Sequence, residues 1–158
     1  MATRLPSAKD ADDRTWPLRD SATLRIIDGL YRCRKYVWTN DQKIVAGYGL
    51  TWSQLLVIEA LRNAEPDFTL SPTDLAALTQ TTSGRMAKML GGLVDLGMID
   101  RVENTHDRRS TLVRLTPFGA ETVERALNQL ARTNTKVFLE TLTHNECQEL
   151  AGLLAKLR

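Results

Sequence analysis

The sequence predicts a mainly α-helical fold with a small β-wing, in which long helices flank a winged helix-turn-helix. Three observations support this prediction. Apolar residues recur at helical spacing along both ends of the chain. Two short helical patterns, separated by a tight turn, lie between Ser71 and Leu96. Apolar and polar residues then alternate as in a strand from Met98, and residues 111–115 form a second such segment after a basic tip.

Composition limits the class of protein. The chain has 158 residues, of which 42% are hydrophobic and 25% charged, so it can form the core of one ordinary domain. The net charge of +2 does not by itself indicate nucleic-acid binding, so the positions of the cations must decide. Two distant cysteines, Cys33 and Cys147, predict neither a disulfide framework nor a zinc site and favour a reducing, cytoplasmic setting.

No targeting or cofactor signal accompanies this composition. No apolar run approaches the roughly 18 residues of a membrane span. Residues 1–20 lack the apolar segment of a signal peptide and are expected to form a loose arm. We find no glycine-rich phosphate loop, paired carboxylates or nucleophile–base arrangement, so no enzyme activity, metal or cofactor is predicted.

The first half of the chain predicts three helices. Residues 21–45 form a long helical pattern that Gly47-Tyr48-Gly49 interrupts. Thr51, with Gln54 three residues later, predicts a capping box that begins a second helix, which stops near Pro66. Ser71-Pro72-Thr73-Asp74 supplies a cap, a proline and an acid for the start of a third, with Leu75, Ala76 and Leu78 facing inward.

The second half predicts a helix, a hairpin and two further helices. After a turn at 79–81, Thr81 or Thr82 caps a helix that runs to Leu96, with Gly97 just beyond its end. Residues 98–102 and 111–115 form the hairpin strands, and residues 68–70 add one small strand. Thr116-Pro117 begins a long helix, and a capping box at Thr143-His144-Asn145-Glu146 begins the last.

The helix from Ser83 to Leu96 has two contrasting faces. A wheel at 3.6 residues per turn buries Met86, Leu90, Leu93 and Val94, with Ala87 at the edge. The opposite face collects Gly84, Arg85, Lys88, Gly91, Gly92 and Asp95. An interior glycine costs about 1 kcal/mol relative to alanine, so these glycines predict close approach to another surface.

Two interpretations fit this face. In one it lies in the major groove of DNA, where Arg85 and Lys88 reach base edges or phosphates and Thr82 and Ser83 contact the backbone. In the other it is a solvated face with tolerated glycines. The hairpin favours the first, since its tip carries Asp107, Arg108 and Arg109, and arginine is attracted to a narrow minor groove. The alternative for the tip is simple exposure.

These motifs together resemble the MarR family of transcriptional regulators. Asp107-x-Arg109 followed by Leu115-Thr116 is similar to the family's wing signature. The segments Leu70–Ala76, Thr82-Ser83-Gly84 and Leu93-Val94-x-x-Gly97 also match. The resemblance covers nearly the whole chain, but Gly91-Gly92 replaces an acid–arginine pair carried by many members, and Leu56 replaces the acid of the urate-responsive branch.

The resemblance implies a homodimer in which the N- and C-terminal helices of two chains interlace. The implied organisation is an arm at 1–20, an N-terminal dimerisation helix at 21–50, a DNA-binding domain at 51–115 and C-terminal dimerisation helices at 116–158. Carried over by position, the recognition-helix residues are Ser83, Gly84, Arg85 and Lys88, and the wing residues are Asp107 and Arg109.

The resemblance also implies an effector, because members often bind small anionic aromatic compounds beside the dimer helices. Candidate ligand residues are Trp16, Tyr31, Arg34, Trp38 and Trp52. The alternative is that these side chains serve packing. A second alternative is a redox sensor using Cys33, which lies beside a run of cations as reactive thiols do, although the cysteine of peroxide-sensing members aligns near Ile27.

The predicted function is therefore that of a sequence-specific regulator, a ligand-responsive repressor that binds a pseudo-palindromic operator as a homodimer. A protein-interaction module without DNA binding is the remaining alternative. Salt separates the two, because binding through several phosphates weakens steeply as salt rises, whereas an apolar protein interface does not.

Overall fold

The structure is a computed structural model that describes residues 21–104 and 111–157. The chain forms two units, Met1–Lys43 and Ile44–Arg158. The described elements, in chain order, are α1 (Ala22–Ala46), α2 (Trp52–Arg62), β1 (Thr69–Leu70), α3 (Pro72–Leu78), α4 (Ser83–Asp95), β2 (Ile99–Glu103), β3 (Thr111–Leu115), α5 (Pro117–Leu139) and α6 (His144–Ala155). The predicted mainly α fold with a small β-wing is confirmed.

The first unit consists, in its described part, of most of α1. This helix of 25 residues begins and ends within one residue of the predicted bounds. An ion pair between Arg32 and Asp28, one turn apart with 2.6 Å between Nη2 and Oδ2, supports it locally. The apolar side chains of Ile26, Leu30 and Tyr31 are exposed in the single chain.

The start of α2 in the second unit is fixed by the predicted capping box. Thr51 Oγ1 accepts a hydrogen bond from the Gln54 backbone N–H at 3.3 Å. In return, Gln54 Oε1 accepts one from the Thr51 backbone N–H at 3.0 Å. The box satisfies backbone donors that would otherwise lack partners, so it fixes where the helix starts.

The helix-turn-helix consists of α3 and α4. Ser71 Oγ caps α3 by accepting from the Asp74 N–H at 3.1 Å, and Pro72 occupies the first turn. Gln80, with a φ of 49°, turns the chain between the two helices. Gly97, with a φ of 67°, follows the end of α4 in the left-handed conformation that glycine adopts without a steric penalty.

The sheet has three antiparallel strands in the order β1-β3-β2. In the β2–β3 hairpin Ile99 pairs with Leu115 and Glu103 pairs with Thr111. The outer strand β1 pairs Thr69 with Arg114, which confirms the small strand expected near 68–70. Because β1 covers one edge of β3, the hairpin arms are held to the body of the unit.

Thr116 joins three elements at the base of the hairpin. Its hydroxyl donates to the Gly97 carbonyl at 2.8 Å, and its backbone N–H donates to the Met98 carbonyl at 3.1 Å. The same hydroxyl accepts from the Gly119 N–H at 2.9 Å and so caps α5. The residues that follow α4, those that precede β2 and the first turn of α5 therefore meet at Thr116.

The core of the second unit lies between α2, α3, α4, the sheet and the first half of α5. Its fully buried large side chains are Leu55, Ile58, Leu61, Leu75, Met86, Leu93, Ile99, Val45, Val57, Val113 and Val123. An ion pair from Arg62 Nε to Glu124 Oε1 and a hydrogen bond of 2.7 Å from Tyr48 Oη to Gln129 Oε1 link this core region to the outer side of α5.

Two predicted core positions are wrong. Leu78 is 64% exposed, because it is the last residue of a short helix and points away from the core that Leu75 and Ala76 enter. Val94 is 37% exposed, whereas Met89 is buried. On the helical wheel the two residues lie on opposite edges of the stripe of Met86, Leu90 and Leu93. Met89 is about 60° from Met86 on one side, and Val94 is about 80° from it on the other. The neighbouring elements cover the side that includes Met89.

The last helix, α6, has no buried residue in the single chain. Its predicted capping box is present, with Glu146 Oε2 accepting from the Thr143 backbone N–H at 2.7 Å and from the Thr143 hydroxyl at 2.8 Å. These two hydrogen bonds, the backbone one first, lower the pKa of the Glu146 carboxyl because they stabilise its charged form. Leu150, Leu153 and Leu154 are exposed along the helix, and Leu157 is exposed just beyond its end. Within residues 21–104 and 111–157, none of the helices has the length and hydropathy to cross a membrane.

Gly119 provides a test of the contact between α5 and the residue before β2, Met98. A Cβ at this buried position would lie 2.1 Å from the Met98 carbonyl oxygen and 2.9 Å from Leu115 Cδ1. We expect Gly119→Ala to lower the free energy of unfolding by about 1–3 kcal/mol, because backbone must shift to admit the methyl group. Urea unfolding followed by circular dichroism measures this, with Gly152→Ala as the control, since a Cβ there meets nothing within 4 Å. Equal stabilities of the two variants would contradict the proposed contact.

Candidate nucleic-acid interface

The first half of α4 presents a polar, cationic surface. All five residues predicted from the sequence to contact DNA in this helix are exposed: Thr82, Ser83, Gly84, Arg85 and Lys88. They are exposed because α4 turns Met86, Met89, Leu90 and Leu93 into the core on its other side. The structure therefore brings together the predicted recognition-helix residues on one accessible surface.

The N-terminus of α4 carries free donor capacity on this surface. Thr82 is the N-cap residue, but its side chain makes no capping hydrogen bond, in contrast to Thr51, Ser71, Thr116 and Thr143 at four other helices. The first N–H groups of α4 are thus not satisfied by a cap. Such a helix end favours negative charge, because unpaired N–H groups and the helix dipole both point outward.

Arg85 contacts a second helix that the sequence did not implicate. Its Nη2 donates to Ser53 Oγ in the first turn of α2 at 3.2 Å. Lys88, one turn further along α4, makes no ion pair with any residue in the described parts of the chain. The two predicted cations therefore differ, because Arg85 makes a hydrogen bond to α2 and Lys88 is exposed to solvent.

The glycines of α4 are only partly explained by an outward face. Gly91 and Gly92 are half-buried, and a Cβ at Gly92 would lie 3.1 Å from Gln54 Nε2. The close approach predicted for these glycines is therefore made at Gly92 by α2. A Cβ at Gly84 or Gly91 would meet nothing within 4 Å.

A groove of about 130 Å³ lies between the start of α3, α4 and the hairpin. Its lining is mostly apolar and comprises Pro72, Thr73, Ser83, Met86, Ala87, Leu90, Arg101, Thr111 and Val113. Arg101 pairs with Val113 in the sheet register and is exposed at the groove. Strand alternation places it on the same side of β2 as buried Ile99, so this cation lies between the hairpin and α4.

The predicted wing residues Asp107, Arg108 and Arg109 lie outside the described residues, as does His106. The hairpin arms are described up to the pair Glu103 and Thr111. Two further arginines on these arms, Arg101 and Arg114, are both exposed.

The predicted effector residues are distributed along the chain. Tyr31, Arg34 and Trp38 are exposed on α1, where spacings of three and seven residues place them on one helix face. Trp52 is the first residue of α2, in the other unit, and Trp16 lies outside the described residues. Trp38 and Trp52 both make side-chain interactions.

The remaining candidate chemistry is limited. Cys33 and Cys147 are free and half-buried. Residues 21–104 and 111–157 contain no group of three or more His, Cys, Asp or Glu side chains that could hold a metal ion.

Comparison with known proteins identifies the family. A model described as MarR family matches residues 48–110. The multiple antibiotic resistance protein MarR of Salmonella typhimurium is 30% identical over 108 residues, which cover 68% of this chain and 73% of that protein. The chain belongs to the MarR family. The transcriptional regulator PapX of Escherichia coli is 25% identical over 145 residues, covering 92% of this chain and 85% of PapX.

Solved structures agree with this assignment to the MarR family. The crystal structure of YusO from Bacillus subtilis has a TM-score of 0.76 at 24% identity, covering 87% of this chain and 97% of YusO. A mutant of E. coli MarR complexed with operator DNA has a TM-score of 0.60 at 26% identity, covering 87% of this chain and 99% of that one. As a member of the MarR family, the chain is a winged-helix transcriptional regulator rather than an enzyme.

The contact between Gln54 and Gly92 can be tested within this MarR-family fold. We expect Gly91→Ala to raise the free energy of unfolding by about 1 kcal/mol through helix propensity. Gly92→Ala should raise it less or lower it, because its methyl group meets a Gln54 side chain that the capping box holds in place. Thermal and urea unfolding measure the difference, and combining each change with Gln54→Ala should abolish it. Equal stabilisation by the two alanines would show that α2 does not restrict α4 at this point.

Proposed function

We propose that this protein is a sequence-specific repressor that binds a pseudo-palindromic operator as a homodimer and is released by a small anionic aromatic effector. The observation that carries the proposal is the exposed first half of α4, where Arg85 and Lys88 follow an N-terminus without a side-chain cap. The E. coli MarR structure with operator DNA, which has a similar fold, supports the choice of ligand.

Cations lie on both α4 and the hairpin, although the whole chain has a net charge of only +2. Arg85 and Lys88 lie on α4, Arg101 and Arg114 lie on the hairpin arms, and two more arginines lie in the sequence of its tip. Neutralising phosphates and releasing counterions supplies much of the affinity of DNA-binding proteins. The distribution therefore supports DNA binding better than the net charge does.

The proposed contacts divide by their chemistry. Thr82, Ser83 and the first amides of α4 bind phosphate, because the helix end presents N–H and O–H donors. Arg85 and Lys88 reach base edges in the major groove, with Gly84 allowing close approach. Arg108 and Arg109 enter the minor groove, and Asp107 orients one guanidinium by a charge-assisted hydrogen bond.

Unpartnered apolar side chains support the dimer. Leu150, Leu153 and Leu154 on α6 and Leu157 just beyond it are exposed, as are Ile26, Ile27 and Leu30 on α1. Removing such surface from water contributes about 25 cal/mol per Å², so a second copy that covers these faces would be strongly favoured. Two-fold symmetry then places two recognition helices about one helical turn apart on the DNA.

The effector component rests on Tyr31, Arg34 and Trp38, which share a face of α1 and combine aromatic rings with a cation. NadR, solved with 4-hydroxyphenylacetate, has a similar fold, with a TM-score of 0.58 at 24% identity. Trp16 and Trp52 are the other two candidates from the sequence. An aromatic carboxylate is the class of compound to test first.

The decisive experiment selects binding sites from a random pool of duplex DNA at two salt concentrations. Recovery of a pseudo-palindrome, more weakly at the higher salt, supports a dimeric sequence-specific regulator. Addition of aromatic carboxylates, or of peroxide to wild type and Cys33→Ser, then separates a ligand-responsive regulator from a redox sensor. Recovery of no sequence at either salt by reduced, ligand-free protein would count against the proposal and favour a protein-interaction module.

Substitutions of the cations should separate readout from backbone binding. Arg109→Ala is expected to weaken binding to all sequences and to reduce the slope of log K against log salt by about one unit. Arg85→Ala and Lys88→Ala should instead change which bases are preferred. Titrations at several salt concentrations measure both, with Arg125→Ala on α5 as the control of equal charge. An unchanged salt slope for Arg109→Ala would argue against a wing contact.

Removal of α6 should impair dimerisation. Truncation before Thr143 deletes the exposed leucines that the dimer is proposed to bury. We expect analytical ultracentrifugation to show a dimer for the full chain and predominantly monomer for the truncated one, with a matching loss of operator affinity. A stable truncated dimer would show that α6 is not part of the interface.

A further inference from the structure

The first turn of α2 is docked against α4 at two adjacent residues. Gln54 places its amide nitrogen 3.1 Å from where a Cβ of Gly92 would be. Ser53 places its hydroxyl 3.2 Å from Arg85 Nη2. One helix start therefore contacts both the middle of α4 and the tip of its predicted DNA-reading arginine.

The position of Ser53 is fixed by its neighbours rather than by its own side chain. Gln54 Oε1 accepts hydrogen bonds from the Thr51 backbone N–H at 3.0 Å and from the Thr51 hydroxyl at 2.9 Å. The same Gln54 side chain lies against Gly92, where the absence of a Cβ allows the approach. Because Ser53 lies between Thr51 and Gln54 in the first turn, its backbone and Cβ are held beside α4, from where its hydroxyl reaches Arg85 Nη2.

We infer that Ser53 is a positioning residue for DNA readout, which holds the Arg85 guanidinium so that its remaining N–H groups face the base edges. The inference rests on the proposed function and deepens it. Ser53 itself need not touch DNA. Its hydroxyl accepts one hydrogen bond from Nη2, and a guanidinium has five N–H donors, so a fork of two remains for bidentate recognition of guanine.

The physical effect is a smaller entropic cost of binding. Arg85 is exposed, and a free arginine side chain samples many rotamers that must be reduced to one when it binds a base pair. A hydrogen bond made before DNA arrives removes part of that cost. Lys88, which has no ion pair in the described parts of the chain, lacks such support. Discrimination by α4 should therefore depend on a residue of α2.

The test begins with the free protein. NMR relaxation of the Arg85 Nε–Hε group should show an ordered side chain in wild type and in Ser53→Thr, which keeps the hydroxyl. The group should be mobile in Ser53→Ala. Equal mobility in all three proteins would overturn the inference without reference to DNA, and so without affecting the proposed function.

The second step measures base preferences with the selected duplex site and its single-base variants. Arg85→Ala identifies the base pair whose discrimination depends on Arg85. At that base pair Ser53→Ala should lower discrimination about two- to tenfold, which corresponds to the loss of one hydrogen bond, and Ser53→Thr should preserve it. In the Arg85→Ala background, Ser53→Ala should have no further effect at that position.

The outcomes separate the two proposals. A wild-type protein that selects no sequence overturns the proposed function and this inference together. Sequence-selective binding in which Ser53→Ala discriminates as wild type does, or changes preferences equally with and without Arg85, overturns the role of Ser53 alone. That role is also overturned if Arg85→Ala leaves every base preference unchanged.

Discussion

The cationic surface of α4 depends on the burial of the opposite side of the same helix. Met86, Met89, Leu90 and Leu93 enter a core formed with α2, α3 and the sheet. Each such side chain contributes about 1.5–3 kcal/mol when it leaves water, far more than the exposed polar side chains of the same helix contribute. Since this stripe must face inward, Ser83, Arg85 and Lys88 must face outward. The position of the cationic surface is thus a consequence of core packing.

Close contacts of backbone atoms at the base of the hairpin fix how α4, β2 and α5 are joined. Thr116 bonds the Gly97 and Met98 carbonyls, and Gly119 lies so close to the Met98 carbonyl oxygen that a Cβ does not fit. The end of α4 is therefore tied to the start of α5, and β2 leaves this junction toward the hairpin tip. The relation between α4 and the hairpin is set here, at residues that carry no charge.

The contact of α2 with α4 links the capping box at the start of α2 to the inferred positioning of Arg85. The capping box of Thr51 and Gln54 stabilises the start of any helix, because it satisfies backbone donors. Here the same glutamine also lies against Gly92, and its neighbour Ser53 holds Arg85. The capping box that starts α2 thereby also helps to position the Arg85 side chain of α4.

The sequence by itself determined the order of elements, most helix ends and the family. Ser71, Thr116 and the two capping boxes act within a few residues of the chain, and the 3.6-residue period of the apolar side chains is also local, so both can be recognised without a fold. Tertiary structure alone decided which edge of the α4 stripe is covered, burying Met89 and exposing Val94. It also decided that Leu78 is exposed, that Gly92 faces α2 and that Arg85 meets Ser53. The reason is the same in each case: these outcomes depend on which distant segment lies alongside, and periodicity within one helix carries no information about that neighbour.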